Sequence, residues 1–237
     1  MRRYRLIRTV LGLVTGIYSR VQVEGVENLP SGPAILCFSH QSWADPLYLL
    51  GRLPGRPRIY FFGPQEEDMT RGFRNRLMRW GGVAVPYQPG SRGLMAATRR
   101  VEELLGGGST VAVAGEGRIH AGEGIILPLL DGPAYLAVRS GRPVVPLAVN
   151  GTSWLGFRRI VRLRIGTPIQ PDGAATGPTG DEVERLTVQT RLALLALVAD
   201  FPDRRSPGRL GRWLTELFND WPEGSRPAVP PRATNRP

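Results

Sequence analysis

The chain has 237 residues, with 31 basic and 20 acidic side chains and a formal net charge of +11. Every one of the 31 basic residues is arginine, and the single cysteine, Cys37, excludes an internal disulfide. Without lysine there is no Walker phosphate loop and no Schiff-base chemistry, and two histidines do not make a histidine-clustered metal centre, so we expect no metal or other cofactor. The arginine excess favours a partner with phosphate or carboxylate groups, which a guanidinium binds bidentately. Nucleic acid, membrane headgroups and phosphorylated metabolites all meet that condition.

The first twenty residues contain five arginines and no acidic residue. Their apolar stretch, 6–18, is interrupted by Arg8 and is shorter than the roughly 20 residues that cross a bilayer. Residues 1–20 therefore predict an amphipathic helix that lies on an anionic membrane surface. An ordinary surface helix whose apolar side packs on the core fits the pattern equally well. Val21 and Val23 then lead into a turn over 27–33.

Strands and helices are predicted to alternate from residue 34 to residue 165. Short apolar runs predict strands at 34–38, 58–62, 82–85, 110–114, 143–149 and 161–165. Helices are predicted to begin at Asp45, as the N-cap before Pro46, to cover 71–80 and 133–140, and to run from a Ser91 cap to the glycines 106–108. This order predicts an α/β fold in which helices flank a largely parallel sheet, with functional sites at the carboxyl ends of its strands.

The C-terminal part is predicted to be helical and then disordered. A segment rich in proline and glycine, 166–180, forms a linker to helices at 181–199 and near 210–218. Residues 21–220 are long enough for one domain with one core. Residues 221–237 have too little apolar content to pack, which predicts a disordered tail.

The first loop whose side chains could take part in a reaction joins the strand 34–38 to the next helix. It holds His40 and, five residues later, Asp45, which can meet across the turn. A carboxylate bonded to one imidazole nitrogen fixes the tautomer and supports the cation that forms when the other nitrogen takes a proton, so the pair predicts a general base. Singly, each residue also has a structural interpretation, because an aspartate before proline is a routine helix cap and a buried histidine is often only hydrogen-bonded.

A second loop follows the strand 110–114. Here Glu116 stands between Gly115 and Gly117, and the absence of side chains on the glycines would let the backbone approach a ligand. Arg118 comes next and can bind a phosphate. Alone, this loop is equally well a tight solvated turn. The strand 143–149 is predicted to be buried and to shape the site without supplying a reactive group.

In their order and spacing, these segments resemble the glycerolipid acyltransferase family, whose members acylate glycerol-3-phosphate or lysophosphatidic acid. His40 and Asp45 match the family's H-x-x-x-x-D motif, and Glu116 with Gly117 matches the E-G of its F-P-E-G-T-R motif. Residues 127–134 resemble the P-F-K-x-G-A segment that follows, and 143–149 matches V-P-I-x-P-V. The resemblance covers about residues 20–166.

This resemblance implies a reaction in which His40, oriented by Asp45, deprotonates an acceptor hydroxyl that attacks an acyl thioester. Glu116, Gly117 and Arg118 are implied to bind the acceptor's phosphate, with Glu116 holding the geometry of Arg118. Tyr87 stands where the family's second motif has a phosphate-binding arginine, so Arg79 and Arg92 become candidates for additional phosphate contacts. No acyl-enzyme is needed, since Cys37 lies within a strand and no serine elbow is present.

The resemblance and the charge pattern together imply the partners. Residues 71–100 contain seven arginines and no acidic residue, which suits anionic lipid or an acidic acyl donor. We expect membrane lipid and acyl-CoA or acyl carrier protein as partners, no nucleic acid, and a peripheral position on the cytoplasmic face of the cell membrane. Two other hypotheses stay open: a basic α/β module that binds membrane or nucleic acid without catalysis, and a thioester hydrolase that uses water as the acceptor.

Overall fold

A computed structural model describes residues 2–64, 72–87, 91–120, 122–172, 178–198, 201, 206–219, 221 and 226–230. Within these residues the helices are α1 (Arg2–Tyr18), α2 (Asp45–Arg52), α3 (Gly72–Gly81), α4 (Ser91–Gly106), α5 (Gly132–Ser140), α6 (Gly180–Val198) and α7 (Gly208–Phe218). The strands are β1 (Arg20–Glu24), β2 (Ile35–Phe38), β3 (Ile59–Pro64), β4 (Ala84–Tyr87), β5 (Thr110–Ala114), β6 (Val144–Asn150) and β7 (Ile160–Ile165).

The seven strands form one sheet in the order β1-β7-β6-β2-β5-β3-β4. Neighbouring strands are parallel except β6 and β7, which are antiparallel. The predicted α/β fold with a largely parallel sheet flanked by helices is therefore confirmed. Every predicted strand is present with its ends moved by at most two residues.

Strand β1 was missed by the sequence analysis, which placed Val21 and Val23 in a connection. It pairs with β7 at the sheet edge, Val21 opposite Val161. Its five residues alternate between exposed and half-buried positions, so it lacks the fully apolar run that marks the inner strands. An edge strand with one wet face gives a weaker signal than a buried one because half of its residues are polar.

Alternate residues of the central strands point into two apolar layers. Leu36 and Phe38 of β2 belong to the layer that α1 and α2 cover, whereas Ile35 and Cys37 belong to the layer that α4, α5 and α6 cover. All four side chains are buried. Burial on both faces explains why β2 is a continuous apolar run without the polar alternation of a half-exposed strand.

Helix α1 has one face in the core and one in solvent. Its buried residues are Tyr4, Ile7, Leu11 and Thr15, which recur at helical spacing. Gly12 meets Gly51 of α2 so closely that a Cβ on Gly12 would lie 3.0 Å from the Gly51 carbonyl oxygen. The predicted helix is thus packed on the core, and its other face stays exposed. None of the described helices is long and apolar enough to span a bilayer.

Helix α7 packs against the segment that connects β6 and β7. Its Thr215 hydroxyl accepts a hydrogen bond from the Leu155 amide at 2.7 Å. Beyond α7, the Trp154 indole donates to the Ala228 carbonyl at 3.1 Å, and its ring lies 5.4 Å from that of Trp221. These contacts tie the described part of 221–237 to the domain, while most of the predicted disordered tail lies outside the described residues.

Candidate active site

The site lies at the carboxyl edge of the sheet, where β2, β5 and β6 end side by side. Because β2 is parallel to both neighbours, the loops after Phe38, Ala114 and Asn150 meet at this edge. Strand geometry therefore brings together three segments that are far apart in the sequence.

His40 and Asp45 meet in this position as their spacing predicted. His40 follows β2 by two residues and Asp45 is the first residue of α2, and the imidazole Nδ1 lies 2.9 Å from the carboxylate Oδ2. Both side chains are buried, and Phe38 packs edge-on against the imidazole ring at 5.4 Å between ring centres. The imidazole is thus held on two sides.

Asp45 is surrounded by donors. Its Oδ2 also accepts the backbone N–H groups of Gln41 at 2.8 Å and Ser42 at 2.9 Å, and its Oδ1 accepts the Thr152 hydroxyl. A carboxyl group that accepts from all sides is the ionised form. It therefore accepts the N–H of His40 Nδ1, which leaves the Nε2 lone pair of the imidazole as the basic site.

The prediction that Asp45 caps α2 is wrong. Ala44 occupies the N-cap without a side-chain cap bond, Asp45 is the first helical residue and Pro46 the second. The carboxylate instead turns back to the loop that precedes the helix. The imidazole and two loop amides occupy Oδ2 together, so the carboxylate is engaged by the His40 loop rather than by the helix amides.

Glu116 binds backbone groups of two other segments of the chain. Its Oε2 accepts the backbone N–H of His40 at 2.8 Å, its Oε1 accepts that of Leu127 at 3.1 Å, and His120 Nε2 lies 2.8 Å from Oε1. The carboxylate is buried, and its two bonds to backbone N–H groups join the loop of Glu116 to the His40 loop and to the segment at Leu127. Glu116 therefore holds the His40 loop in place. Its predicted part in binding the acceptor's phosphate stays a prediction.

The glycines beside Glu116 serve packing within the protein. A Cβ on Gly115 would lie 2.7 Å from the Cys37 sulfur, and one on Gly117 would lie 2.2 Å from a methyl group of Leu130. Gly117 also has φ +66°, which disfavours other residues. Its N–H donates to the Ala114 carbonyl. Leu129 and Leu130 thus occupy the space that side chains at 115 and 117 would need. That a ligand approaches this backbone stays a prediction.

The three arginines of the predicted site are all exposed. Arg118 lies on the loop whose His120 amide donates to the His40 carbonyl at 3.0 Å, so this loop contacts the His40 loop. Arg79 and Arg92 lie on α3 and α4, outside the hydrogen bonds that hold the pair. The structure thus assembles Arg118 with the site loops and leaves Arg79 and Arg92 at the protein surface.

A small apolar cavity of about 40 Å³ borders the imidazole. Its wall is made by the residues Phe38, Trp43, Pro46, Phe61, Met78 and Ala114. The His40 imidazole therefore borders surroundings that are poor in polar groups. Electrostatic interactions are stronger there because the local dielectric constant is low.

Cys37 is excluded as a competing nucleophile. Its thiol is buried within β2, and burial, reinforced by the negative charge of Glu116, raises its pKa far above the ordinary value. A thiol that stays protonated is a poor nucleophile.

Three residues that sequence reasoning did not select contact the His40 loop or the carboxylates that hold it. Thr152 binds Asp45, and the Asn219 side-chain oxygen accepts the Trp43 amide at 2.8 Å and the Ser42 hydroxyl at 3.1 Å. His120 meets Glu116. Thr152 follows β6 at the same sheet edge as His40, a signal that was available. Asn219 lies 176 residues from Trp43, and no local pattern indicates that contact.

Comparison with known proteins agrees with the fold and with the family that the sequence resembles. The sequence profile of the family described as Acyltransferase matches residues 20–150, so the chain belongs to the acyltransferase family.

Two relatives carry more specific names. A 1-acyl-sn-glycerol-3-phosphate acyltransferase of Pseudomonas aeruginosa is 26% identical over 176 residues, which are 68% of this chain and 63% of that protein. The crystal structure of the 1-acyl-sn-glycerophosphate (LPA) acyltransferase PlsC from Thermotoga maritima is similar with a TM-score of 0.63 and 26% identity, over 84% of this chain and 81% of that one. The chain thus spans less than two thirds of the length of the Pseudomonas relative.

Proposed function

We propose that this protein transfers a fatty acyl group from a thioester to the hydroxyl of a lysophosphatidic acid-type acceptor. The observation that carries the proposal is the buried His40–Asp45 pair, 2.9 Å apart at the carboxyl edge of the sheet and inside the family's matched region. Both named relatives act, by their names, on a 1-acyl glycerophosphate.

In the proposed reaction His40 acts as a general base. Its Nε2 takes the proton of the acceptor hydroxyl while the oxygen attacks the thioester carbonyl carbon, and ionised Asp45 stabilises the imidazolium that forms. The C–S bond then breaks, and the thiolate leaves with the proton from Nε2. One ester and one thiol are formed, and the imidazole returns to its starting state without an acyl-enzyme.

Acceptor and donor are proposed to approach the pair from different sides. Arg118 is the arginine on the loop against His40, and a guanidinium suits the acceptor's phosphate. The apolar cavity beside the imidazole suits the start of an acyl chain and disfavours water, which argues for transfer over hydrolysis. The thioester is that of acyl-CoA or acyl carrier protein.

The protein is further proposed to sit peripherally on the cytoplasmic face of the cell membrane. The exposed side of α1 carries five large apolar residues: Leu6, Val10, Leu13, Val14 and Ile17. The exposed Phe157 ring contacts Tyr18 at the end of α1, and α7 adds exposed Leu210, Trp213 and Leu217. Apolar side chains gathered near arginines suit an anionic lipid surface.

An acceptor and donor screen tests the proposal. Purified protein is incubated with one radiolabelled acyl chain, as acyl-CoA or as acyl carrier protein thioester, and with lysophosphatidic acid, glycerol-3-phosphate or water alone. We expect labelled phosphatidic acid to exceed free fatty acid by a wide margin. Free fatty acid as the main product would favour the hydrolase hypothesis, and no product from any pair would favour the binding module.

A further inference from the structure

A second concave site lies at the edge of the sheet opposite His40. It is a pocket of about 800 Å³ among α1, the segment 54–58 that leads into β3, and the glycine turn that precedes β5. Strands β2, β3 and β5 are parallel, so their amino ends share this edge while His40 follows the carboxyl end of β2. The length of the sheet therefore separates this pocket from the proposed reaction.

Positive charge dominates the pocket wall. Four arginines line it, two from the first turns of α1 and two from the segment before β3: Arg5, Arg8, Arg56 and Arg58. Ser31 and Ser109 add hydroxyl groups, and none of the lining residues is acidic. Four like charges around one space repel one another unless an anion lies between them.

Two of these guanidinium groups are held in place by hydrogen bonds, yet each has one N–H donor without an acceptor among the described residues. The Arg58 Nη2 donates to the Gly82 carbonyl at 2.7 Å and to the Gly81 carbonyl at 3.2 Å, and its guanidinium lies 4.8 Å from the ring centres of both Tyr4 and Tyr60. Its Nε is buried and has no hydrogen-bond partner among the described residues. The Arg58 guanidinium is thus held in position at the pocket, and one of its N–H groups has no acceptor among the described residues.

Arg8 repeats the arrangement. Its Nη2 donates to the Leu53 carbonyl, and its Nη1 is buried without a partner in the described part of the chain. A buried N–H without an acceptor carries a desolvation cost that an oxygen ligand would remove. Arg5 and Arg56 are exposed at the same pocket and can close on such a ligand.

We propose that this pocket binds the phosphate group of an anionic lipid headgroup. Phosphate oxygens accept several guanidinium N–H groups at once, and the negative charge offsets the repulsion among the arginines. Tyr4, Arg5 and Arg8 belong to α1, whose exposed apolar residues begin at Leu6. The pocket therefore lies beside the face proposed to contact the membrane, and only this choice of a lipid source depends on that proposal.

The test measures binding without turnover. Calorimetric titrations use dihexanoyl phosphatidylglycerol below its micelle concentration, and inorganic phosphate in a second series. The test variant is Arg5→Gln/Arg56→Gln, two exposed pocket arginines. The matched control is Arg99→Gln/Arg142→Gln, which removes the same charge outside the pocket. His40→Ala is titrated in parallel, because the pocket should bind equally well in a protein that cannot transfer acyl groups.

We expect the wild type, the control and His40→Ala to bind the lipid alike, and the pocket variant to bind at least about tenfold more weakly. Equal binding of inorganic phosphate, with the same loss in the pocket variant, would keep the phosphate site and overturn its assignment to lipid. No binding of either probe to the wild type would overturn the site. Equal losses of binding in the pocket variant and in the control would also overturn the site, because they would show that binding depends only on the net charge of the protein.

Discussion

At the scale of single residues, the site depends on the hydrogen bonds that the carboxylate oxygens of Asp45 and Glu116 accept. The spacing of His40 and Asp45 was enough to predict that they meet, because a short loop between a strand and a helix leaves them few alternatives. The partners of Glu116 could not be predicted, since its bonds to His40 and Leu127 cross 76 and 11 residues. Sequence patterns report local geometry and are silent on such distant contacts.

Asp45→Asn should lower the rate of acyl transfer by about 10²–10⁴-fold. In one orientation the amide nitrogen would face Nδ1 and the Gln41 and Ser42 donors, which upsets the tautomer; in the other it would face Thr152, and the amide oxygen would keep the Nδ1 contact. In both orientations the imidazole loses its counter-charge. Single-turnover rates of the two proteins measure the effect. Thr152→Val is the control, because it removes one neighbour of Asp45 and keeps the imidazole contact; a smaller loss in Asp45→Asn than in this control would contradict the assignment.

Glu116→Gln and Arg118→Gln should separate a structural role from a binding role. Glutamine at 116 leaves one backbone donor of His40 or Leu127 without an acceptor, so the free energy of unfolding should fall by about 1–3 kcal/mol. Arg118 is exposed, so its loss should leave stability unchanged and raise the KM for the acceptor. Urea unfolding and acceptor titrations measure both quantities. A stable Glu116→Gln protein with only a raised KM for the acceptor would favour the predicted phosphate-binding role of Glu116 over the structural one.

At the scale of elements, the sequence predicts the inner strands well because burial on both faces leaves them uniformly apolar. Strand β1 was missed since its alternation is short. Whether the apolar side of α1 meets a membrane or the core was undecided, because arginines and apolar residues are interleaved along the helix. Its packing is resolved by α2: Gly12 meets Gly51, and the Ser19 hydroxyl after α1 bonds the Tyr48 hydroxyl at 2.6 Å. Such pairings need both helices to be known.

This junction of α1 and α2 should lose stability in alkali. Burial raises the pKa of Tyr48 to about 12, against 10.0 for an ordinary tyrosine. The unfolded chain therefore releases this proton first, so the contribution of Tyr48 to stability is complete below pH 10 and falls as the pH rises from 10 towards 12. Urea unfolding at pH 8, 10 and 11 measures the decline.

Tyr48→Phe should be less stable at pH 8 by about 1 kcal/mol, because the Ser19 bond is lost, but its stability should fall less steeply above pH 10. Tyr135→Phe serves as the control at an exposed tyrosine and should keep the wild-type slope. A wild-type slope in Tyr48→Phe as well would assign the alkaline loss to other groups.

At the scale of the whole molecule, the His40–Asp45 pair, the arginine pocket and the exposed apolar residues of α1 lie at three different places. The His40 pair lies at the carboxyl edge of the sheet, the arginine pocket at the amino edge, and the exposed apolar residues of α1 on the flank. An excess of arginine alone left nucleic acid, membrane and metabolite open; the distribution of these arginines beside the exposed apolar face favours a lipid surface.

Leu13→Gln/Ile17→Gln should weaken binding to vesicles that contain phosphatidylglycerol, measured by flotation, because these two residues are 61% and 69% exposed and lie on the outer side of α1. Val188→Gln/Leu192→Gln is the matched control on α6, at 51% and 59% exposure. Transfer to a short-chain soluble acceptor should be unchanged in both variants. Equal vesicle binding by both variants would move the membrane contact away from α1.

The central claim is that His40 is the base of a direct acyl transfer, and its most direct test is the transfer of a labelled acyl chain to lysophosphatidic acid by His40→Ala. Cys37→Ala, three residues earlier and buried within β2, is the control and should stay active. We predict that His40→Ala keeps its circular dichroism spectrum and loses at least about a hundredfold in rate. A rate above a tenth of the wild type, or an inactive Cys37→Ala protein that is fully folded, would contradict the account.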